Sequence, residues 1–471
     1  MTARLCSVFL AVLALYALPA AAQNEGRIHS DFRREGEALQ SCKSFQFGSI
    51  ASCAQTIFTG QPLHVAVGSI APQNGTAAGL AFVEHKNYAS GWRLNWNADA
   101  VASGNGSWRA GAYMKAYRQP GGTIVVVHPT GNMPPKPQSP LYRTAPLFNL
   151  YAETTSLNRL YYYGLGPGTL PVNRSVFGLT QTIIGTNAIL PLAGKAGISL
   201  LGEINGRIPQ LRGNQHESSP SIEALYTEAS APGLTRQPAY FQAGEGIRLR
   251  PTLLKDFLRL NYAVQFQQFV AASDSHYSFR RWTADLNHEF PLYRKVRLAA
   301  ARDQNGPDSC AISSTETSCP PVYSRTQNLE GSISVRLLMT GSIANAGSVV
   351  PFFFDPTIGG SDINGQALLA SYPDYRFRAP NALLLRETFE HSLGKWPVGF
   401  LFSVDEAKVG LRRGDISFDH LQHTFTTGLT VHAGGLPVVS LLFAWGGNEG
   451  HHTTANISNV LLGGSSRPAL F

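Results

Sequence analysis

The chain has 471 residues, of which 14% are charged and 10% aromatic, with a formal net charge of +8. Soluble domains carry about 25% charged residues, so this composition speaks against a water-soluble globule. The positive excess is spread along the chain without a Lys/Arg run. The concentrated basic face that nucleic-acid binding needs is therefore excluded, and basic residues lining a lumen or facing anionic headgroups account for the excess.

Residues 1–22, MTARLCSVFLAVLALYALPAAA, read as a secretory signal peptide: Arg4, an apolar run from Leu5 to Leu18, then Ala20-Ala21-Ala22 as the cleavage site. Cys6 stands at the start of the apolar run instead of ending it, which argues against a lipoprotein. The following stretch, 23–61, lacks clean alternation and predicts a short helix around Glu37 to Cys53. It reads as an appendage of a barrel, either a plug or a helix at the periplasmic mouth, with a flexible tail as the alternative. Four cysteines remain after the leader, Cys42 with Cys53 and Cys310 with Cys319. In an exported chain this suggests two local disulfides. A metal site is the rival reading, without CxxC spacing or accompanying histidines.

From 62 to 471 the chain is a series of strand-like runs separated by turn clusters. No further apolar run approaches the ~20 residues of a spanning helix, but a barrel strand needs only alternation. TAAGLAFVEH (76–85), GWRLNWNADAVAS (91–103), SWRAGAYMKAYRQ (107–119), ISLLGEINGRI (198–208), PAYFQAGEGIRLR (238–250), DFLRLNYAVQFQQFVAA (256–272) and YSFRRWTADLNHEF (277–290) are such runs. In LRLNYAVQFQQF, Leu258, Leu260, Tyr262, Val264, Phe266 and Phe269 fall mostly on one face, and Arg259, Asn261, Gln265 and Gln267 on the other. Apolar residues on one face and polar ones on the other suit a lipid-facing exterior and a wet interior. SGNGS (103–107), QPGG (119–122), GNQHESSPS (213–221) and AGGLP (433–437) supply turns. The expected fold is an all-β, transmembrane antiparallel barrel of about sixteen strands. A pair of soluble β-sandwiches would need many more charges.

The last residue, Phe471, is the terminal aromatic that outer-membrane assembly machinery reads on its client barrels. Catalytic readings find little support. There is no G-x-S-x-G elbow, the histidines are scattered, His451-His452 reads as a solvent loop, and GLGPG (164–168) lacks the lysine of a phosphate loop. The chain is expected to be no enzyme and to hold no metal or cofactor.

Two stretches carry a family resemblance. YYYGLGPGTLPVNRSVFGLTQTIIGTNAIL (161–190) resembles the barrel of the bacterial surface antigen superfamily, the group that includes BamA and TamA. The C-terminal third is similar too: GGSDINGQALLASYPDYRFRAPNALLLRETFEH (359–391), FLFSVDEAKVG (400–410) and HTFTTGLTVHAGGLPVVSLLFAWG (423–446) repeat that family's last barrel strands in order. Members carry periplasmic polypeptide-transport-associated domains ahead of the barrel, which are expected to be absent here.

The resemblance implies a sixteen-stranded barrel in the outer membrane whose long extracellular loop, 359–380, folds back into the lumen. It implies protein or lipid insertion or translocation, in contact with outer-membrane lipid, lipopolysaccharide and, during biogenesis, the assembly machinery. A porin-like pore or structural barrel is the alternative. In the family an arginine at the loop tip meets acidic residues on two wall strands. Here Ala370 and Ser371 stand where the arginine and its following glycine belong, ahead of Tyr372. Glu387 and Asp405 stand where the acidic partners belong. In SYPDYRFR, Asp374 and Phe377 flank the nearest remaining cations, Arg376 and Arg378. A guanidinium suits a carboxylate inside a narrow lumen through a bidentate pair, so Arg376 or Arg378 is expected to dock the loop to Glu387 and Asp405. The alternative is that YRFR is an ordinary solvated loop.

Overall fold

The computed structural model describes residues 27–39, 57, 62–118, 146–193, 197–214, 218–254, 257–301, 322–362, 367–393, 398–433, 436–447 and 449–457. The leader, Cys42, Cys53, Cys310, Cys319 and Phe471 lie outside the described residues. The chain divides into two compact units, Met1–Leu63 and His64–Phe471. In the first, helix α1 spans Arg27–Leu39, and residues 40–53 of the helix expected around Glu37 to Cys53 lie outside the described residues. The α1 sequence RIHSDFRREGEAL holds three Arg and two Glu, both strong helix formers.

The second unit is a sheet of sixteen principal strands. They are β1 (Leu63–Ser69), β2 (Thr76–Asn87), β3 (Trp92–Ser103), β4 (Trp108–Arg118), β5 (Leu147–Tyr162), β6 (Ser175–Ala193), β7 (Ile198–Gly213) and β8 (Tyr240–Leu249). Then come β9 (Leu258–Ala271), β10 (Phe279–Ala301), β11 (Val322–Ala344), β12 (Asn381–Ser392), β13 (Val398–Gly410), β14 (Gln422–Ala433), β15 (Leu436–Trp445) and β16 (His451–Ile457). Each strand pairs with the next, and the registered ladders from β2 to β16 are all antiparallel. The result is an up-and-down meander whose terminal strands are β1 and β16. An even strand number puts both ends of the meander at one rim; the other is called the far rim below.

The faces of this sheet are inverted relative to a soluble protein. On β5, Asn149 is 1% exposed while its neighbour Leu150 is 51% exposed. On β7, Glu203 is 3% and Ile204 52% exposed. The same alternation sets buried Gln265 beside exposed Val264 on β9, and buried Gln242 opposite in phase to exposed Ile247 on β8. Apolar side chains face out and polar ones face in because the solvent outside is hydrocarbon. Phe269 corrects the sequence reading: it shares the inward phase of Gln265 and Gln267 and is buried, stacked on Phe279 at 4.5 Å.

The sheet is curled into a barrel. The long connection between β11 and β12, residues 345–380, touches the β1–β2 turn through Gln73, the β5–β6 connection through Thr169 and β10 through Arg281. It also reaches β13 through Asp405, β14 through Thr424 and the β15–β16 turn through Glu449. Only a sheet wrapped around this segment can meet it from the first hairpin to the last. The fold is a transmembrane antiparallel barrel of the outer-membrane type.

Candidate functional site: the loop inside the barrel

The connection 345–380 is the feature most densely built into the lumen. It enters through PFFFDP, in which Phe352, Phe353 and Phe354 form one 3-10 turn and are all buried. Three consecutive phenylalanines in a connection are costly in water and gain by packing against inward aromatics. Phe352 meets Tyr162 at 4.8 Å and Phe177 at 5.2 Å; Phe354 meets Tyr240 at 4.9 Å and Phe269 at 5.3 Å. The segment then forms a two-stranded ribbon, Thr357–Ile358 against Phe377–Arg378. That ribbon is extended onto the β5–β6 connection by the Gly166 N–H donating to the Arg378 carbonyl at 2.8 Å. Gly360 makes the close approach possible: its φ is 63°, and a Cβ there would fall 2.5 Å from the Asp374 nitrogen.

Asp405 is the carboxylate that receives the loop, but its cation comes from the wall. Arg386 on β12, its cross-strand neighbour, donates from Nε at 2.6 Å and from a terminal nitrogen at 2.7 Å. The Leu369 backbone N–H donates to the same carboxylate at 2.9 Å, and Arg386 also donates to the Ala367 carbonyl. The expected pairing of Arg376 or Arg378 with Glu387 and Asp405 does not form. The reason is phase: Arg386 and Asp405 point inward, so Glu387, one residue along β12, points outward and is exposed. Its cross-strand neighbours are Val335 and Val404.

At the tip, Ala370 and Ser371 are buried. The Ser371 hydroxyl shares a hydrogen bond with Thr424 of β14 at 2.6 Å, and the Tyr372 hydroxyl donates to Gln422 at 2.6 Å. Hydroxyl contacts thus seat Ser371 and Tyr372 without an arginine at position 370. Tyr372 also packs edge-on against Phe377, with ring centroids 5.2 Å apart.

Arg376, just before the ribbon strand, and Arg378, within it, find different partners. Arg376 is 2% exposed. Its Nε lies 2.7 and 2.9 Å from the two Glu449 oxygens. Its Nη2 donates to Glu449 at 2.7 Å and to the Thr169 carbonyl at 2.5 Å, and its Nη1 to the Thr169 hydroxyl at 2.7 Å. The guanidinium also sits over the rings of Phe377 and Tyr163. Arg378 makes one hydrogen bond, to the Phe352 carbonyl at 2.8 Å, and its Nε has no partner among the described residues. Buried Asp355 interacts with Arg378 and Arg281, yet neither of its oxygens accepts a hydrogen bond among the described residues. Burial pushes this carboxyl up to about 8, against the pull of the two cations. Asp374, which accepts from Gln73 Nε2 at 2.6 Å, is also raised by burial, with that hydrogen bond opposing the shift.

Sequence reasoning missed Phe352–Phe354, Arg386, Glu449, Thr169 and Gln73. PFFFDP was a legible signal, because a run of three aromatics in a connection demands a packed partner. Arg386 could have been found from the cross-strand register with Asp405. Glu449 and Thr169 are brought to Arg376 by barrel curvature, which no local pattern records.

No family model matches the chain, and no curated protein matches it. Among solved structures it is similar to CdiB from Acinetobacter baumannii, at 11% identity over 84% of this chain and 58% of that one, with a TM-score of 0.44. It is also similar to BamA from Haemophilus ducreyi lacking POTRA domains 1-3, at 9% identity over 84% and 69% of the two chains, TM-score 0.47. CdiB from Escherichia coli stands at 12% identity, 84% and 62% coverage, and 0.45. The chain spans less than two thirds of the length of either CdiB. The barrel assignment itself rests on the strand pairing and the inverted faces: this is an outer-membrane-type β-barrel with a loop packed inside it.

Proposed function

We propose that this chain acts at the outer membrane, assisting the insertion or translocation of protein or lipid, without enzymatic chemistry. The observation that carries the reading is the docked loop. Its aromatic base and polar tip fill the lumen near the far rim, and the tip is held by hydroxyls, backbone groups and ion pairs that can exchange with water. On this reading the docked loop narrows the barrel at rest and is the element that rearranges. The resemblance of 161–190 and 359–471 to the bacterial surface antigen superfamily supports the same reading. Outer-membrane lipid and lipopolysaccharide would contact the apolar outer face, and the barrel assembly machinery would insert the chain during biogenesis.

Planar-bilayer conductance, combined with lipid-flipping and barrel-insertion assays in liposomes, tests the proposal. The expected result is little steady current together with accelerated flipping or insertion. A large, steady current without either acceleration would replace it by a porin-like pore, with the loop as its constriction.

A further inference from the structure

Three consecutive loop residues reach the turns of the first and last hairpins at the far rim. Asp374 accepts from Gln73 Nε2 at 2.6 Å, and the Tyr375 hydroxyl donates to the Pro72 carbonyl at 3.0 Å; Pro72 and Gln73 form the β1–β2 turn. Gln73 has a φ of 64°, unusual for a residue other than glycine. Its side chain is also held by the Tyr161 hydroxyl, which donates to Gln73 Oε1 at 3.1 Å. The next residue, Arg376, makes the multidentate pair with Glu449 of the β15–β16 turn. In that same turn, Gly447 lies against Tyr372 so closely that a Cβ would fall 2.0 Å from the Tyr372 hydroxyl.

The two turns belong to the first and last hairpins, β1–β2 and β15–β16. They are not equally secured. The β1–β2 turn is tied to its neighbours by fully buried Asn74, which accepts from the Ser107 hydroxyl at 2.8 Å and from the Asn158 and Arg159 N–H groups at 3.1 and 3.0 Å. The β15–β16 turn has Arg376 as its ionic anchor, in a setting where removing one partner strands a charge.

We propose that residues 374–376 form a clasp holding the first and last hairpins together at the far rim, so that undocking of the loop tip loosens both ends of the sheet. The backbone of Tyr375 makes this possible. Its φ is 61°, and its N–H is fixed by the Gly359 carbonyl at 2.9 Å and the Ser361 carbonyl at 3.2 Å. This left-handed residue turns the chain so that Asp374 and Arg376 meet opposite hairpins. The clasp concerns the barrel's own ends and goes beyond the proposed transport role, whatever the cargo.

Hydrogen–deuterium exchange of the full protein in lipid nanodiscs tests it, with no transport readout involved. Arg376→Ala is expected to raise exchange in both 64–80 and 449–457, on the order of 100-fold if opening tracks loss of a buried ion pair. Strands β6 and β7 serve as the internal reference and should not change. Glu449→Gln, which keeps shape and removes charge, should give a smaller rise in the same two segments. The exchange R376E/E449R should return both toward the parent rate. Unchanged exchange in either hairpin, a uniform rise across the barrel, or failure of the charge exchange to restore protection would overturn the clasp.

Discussion

The base and the tip of the inward loop are buried by opposite means. The base, around Phe352–Phe354, is fixed by ring packing against Tyr162, Phe177, Tyr240 and Phe269. The tip, 367–376, is fixed by hydrogen bonds of Leu369 with β13, of Ser371 and Tyr372 with β14, and of Asp374 and Arg376 with the first and last turns of the rim. Ring packing has no direction and yields only when the whole cluster opens. A polar contact can exchange one partner for water and re-form, so the tip is suited to move while the base stays seated.

Breaking the base should have the largest effect. Phe352 is fully buried and its carbonyl receives Arg378, so Phe352→Ala removes an aromatic anchor and leaves a cavity. A loss of about 3–5 kcal/mol is expected, read as a lower midpoint for conversion to the slow-migrating form in semi-native electrophoresis. A variant that melts like the parent would show that the base contributes little and that the polar tip alone seats the loop.

Asp405→Asn probes the tip from the wall side. The neutral side chain still accepts from one donor but leaves Arg386, itself partly screened by solvent, without its counter-charge. The expected loss is about 1–3 kcal/mol, with protease cleavage appearing at 367–371 before global unfolding. Cleavage at 349–358 instead would reverse the assignment of mobile and seated ends.

The carboxyl of Asp355 lies between these two regions and should make the base respond to pH. Its folded value is about 8 against an ordinary 3.8. The folded state therefore binds more protons than the unfolded state between those values, and stability should fall as pH rises through that window. Asp355→Asn mimics the protonated form. It should match the parent near pH 4 and melt higher than the parent near pH 8. Denaturation midpoints of both proteins across that range check the sign; a parent that gains stability with rising pH while the variant stays flat would mean the two arginines outweigh burial.

The strands and the barrel class were legible because lipid outside and water inside impose a strict two-residue period, visible in LRLNYAVQFQQF. The inward loop was legible only through a family resemblance and through the crowding of charge and rings in SYPDYRFR. Its contacts were not. Arg376 meets Glu449 and Thr169 across sequence separations of 73 and 207 residues, set by closure of the barrel and recorded in no local pattern. Glu387 misled for a local reason. It matched a family position, but a one-residue phase difference decides lumen or lipid, and Arg386 has the inward phase.

That phase difference gives the last and smallest prediction. Glu387 points outward in an apolar surround, with Val335 and Val404 across the ladders and Leu385 and Phe389 two residues away on its own strand. A carboxylate there contributes nothing to holding the loop and carries a cost of facing hydrocarbon. Glu387→Leu should therefore leave loop proteolysis unchanged and shift barrel stability by no more than about 1 kcal/mol, toward greater stability. Asp405→Asn, facing the other way from the adjacent strand, should do the reverse on both measurements. If Glu387→Leu released the loop as Asp405→Asn does, β12 would be shifted by one residue, its whole face would turn over, and the Arg386–Asp405 pair would have to lie on the lipid side.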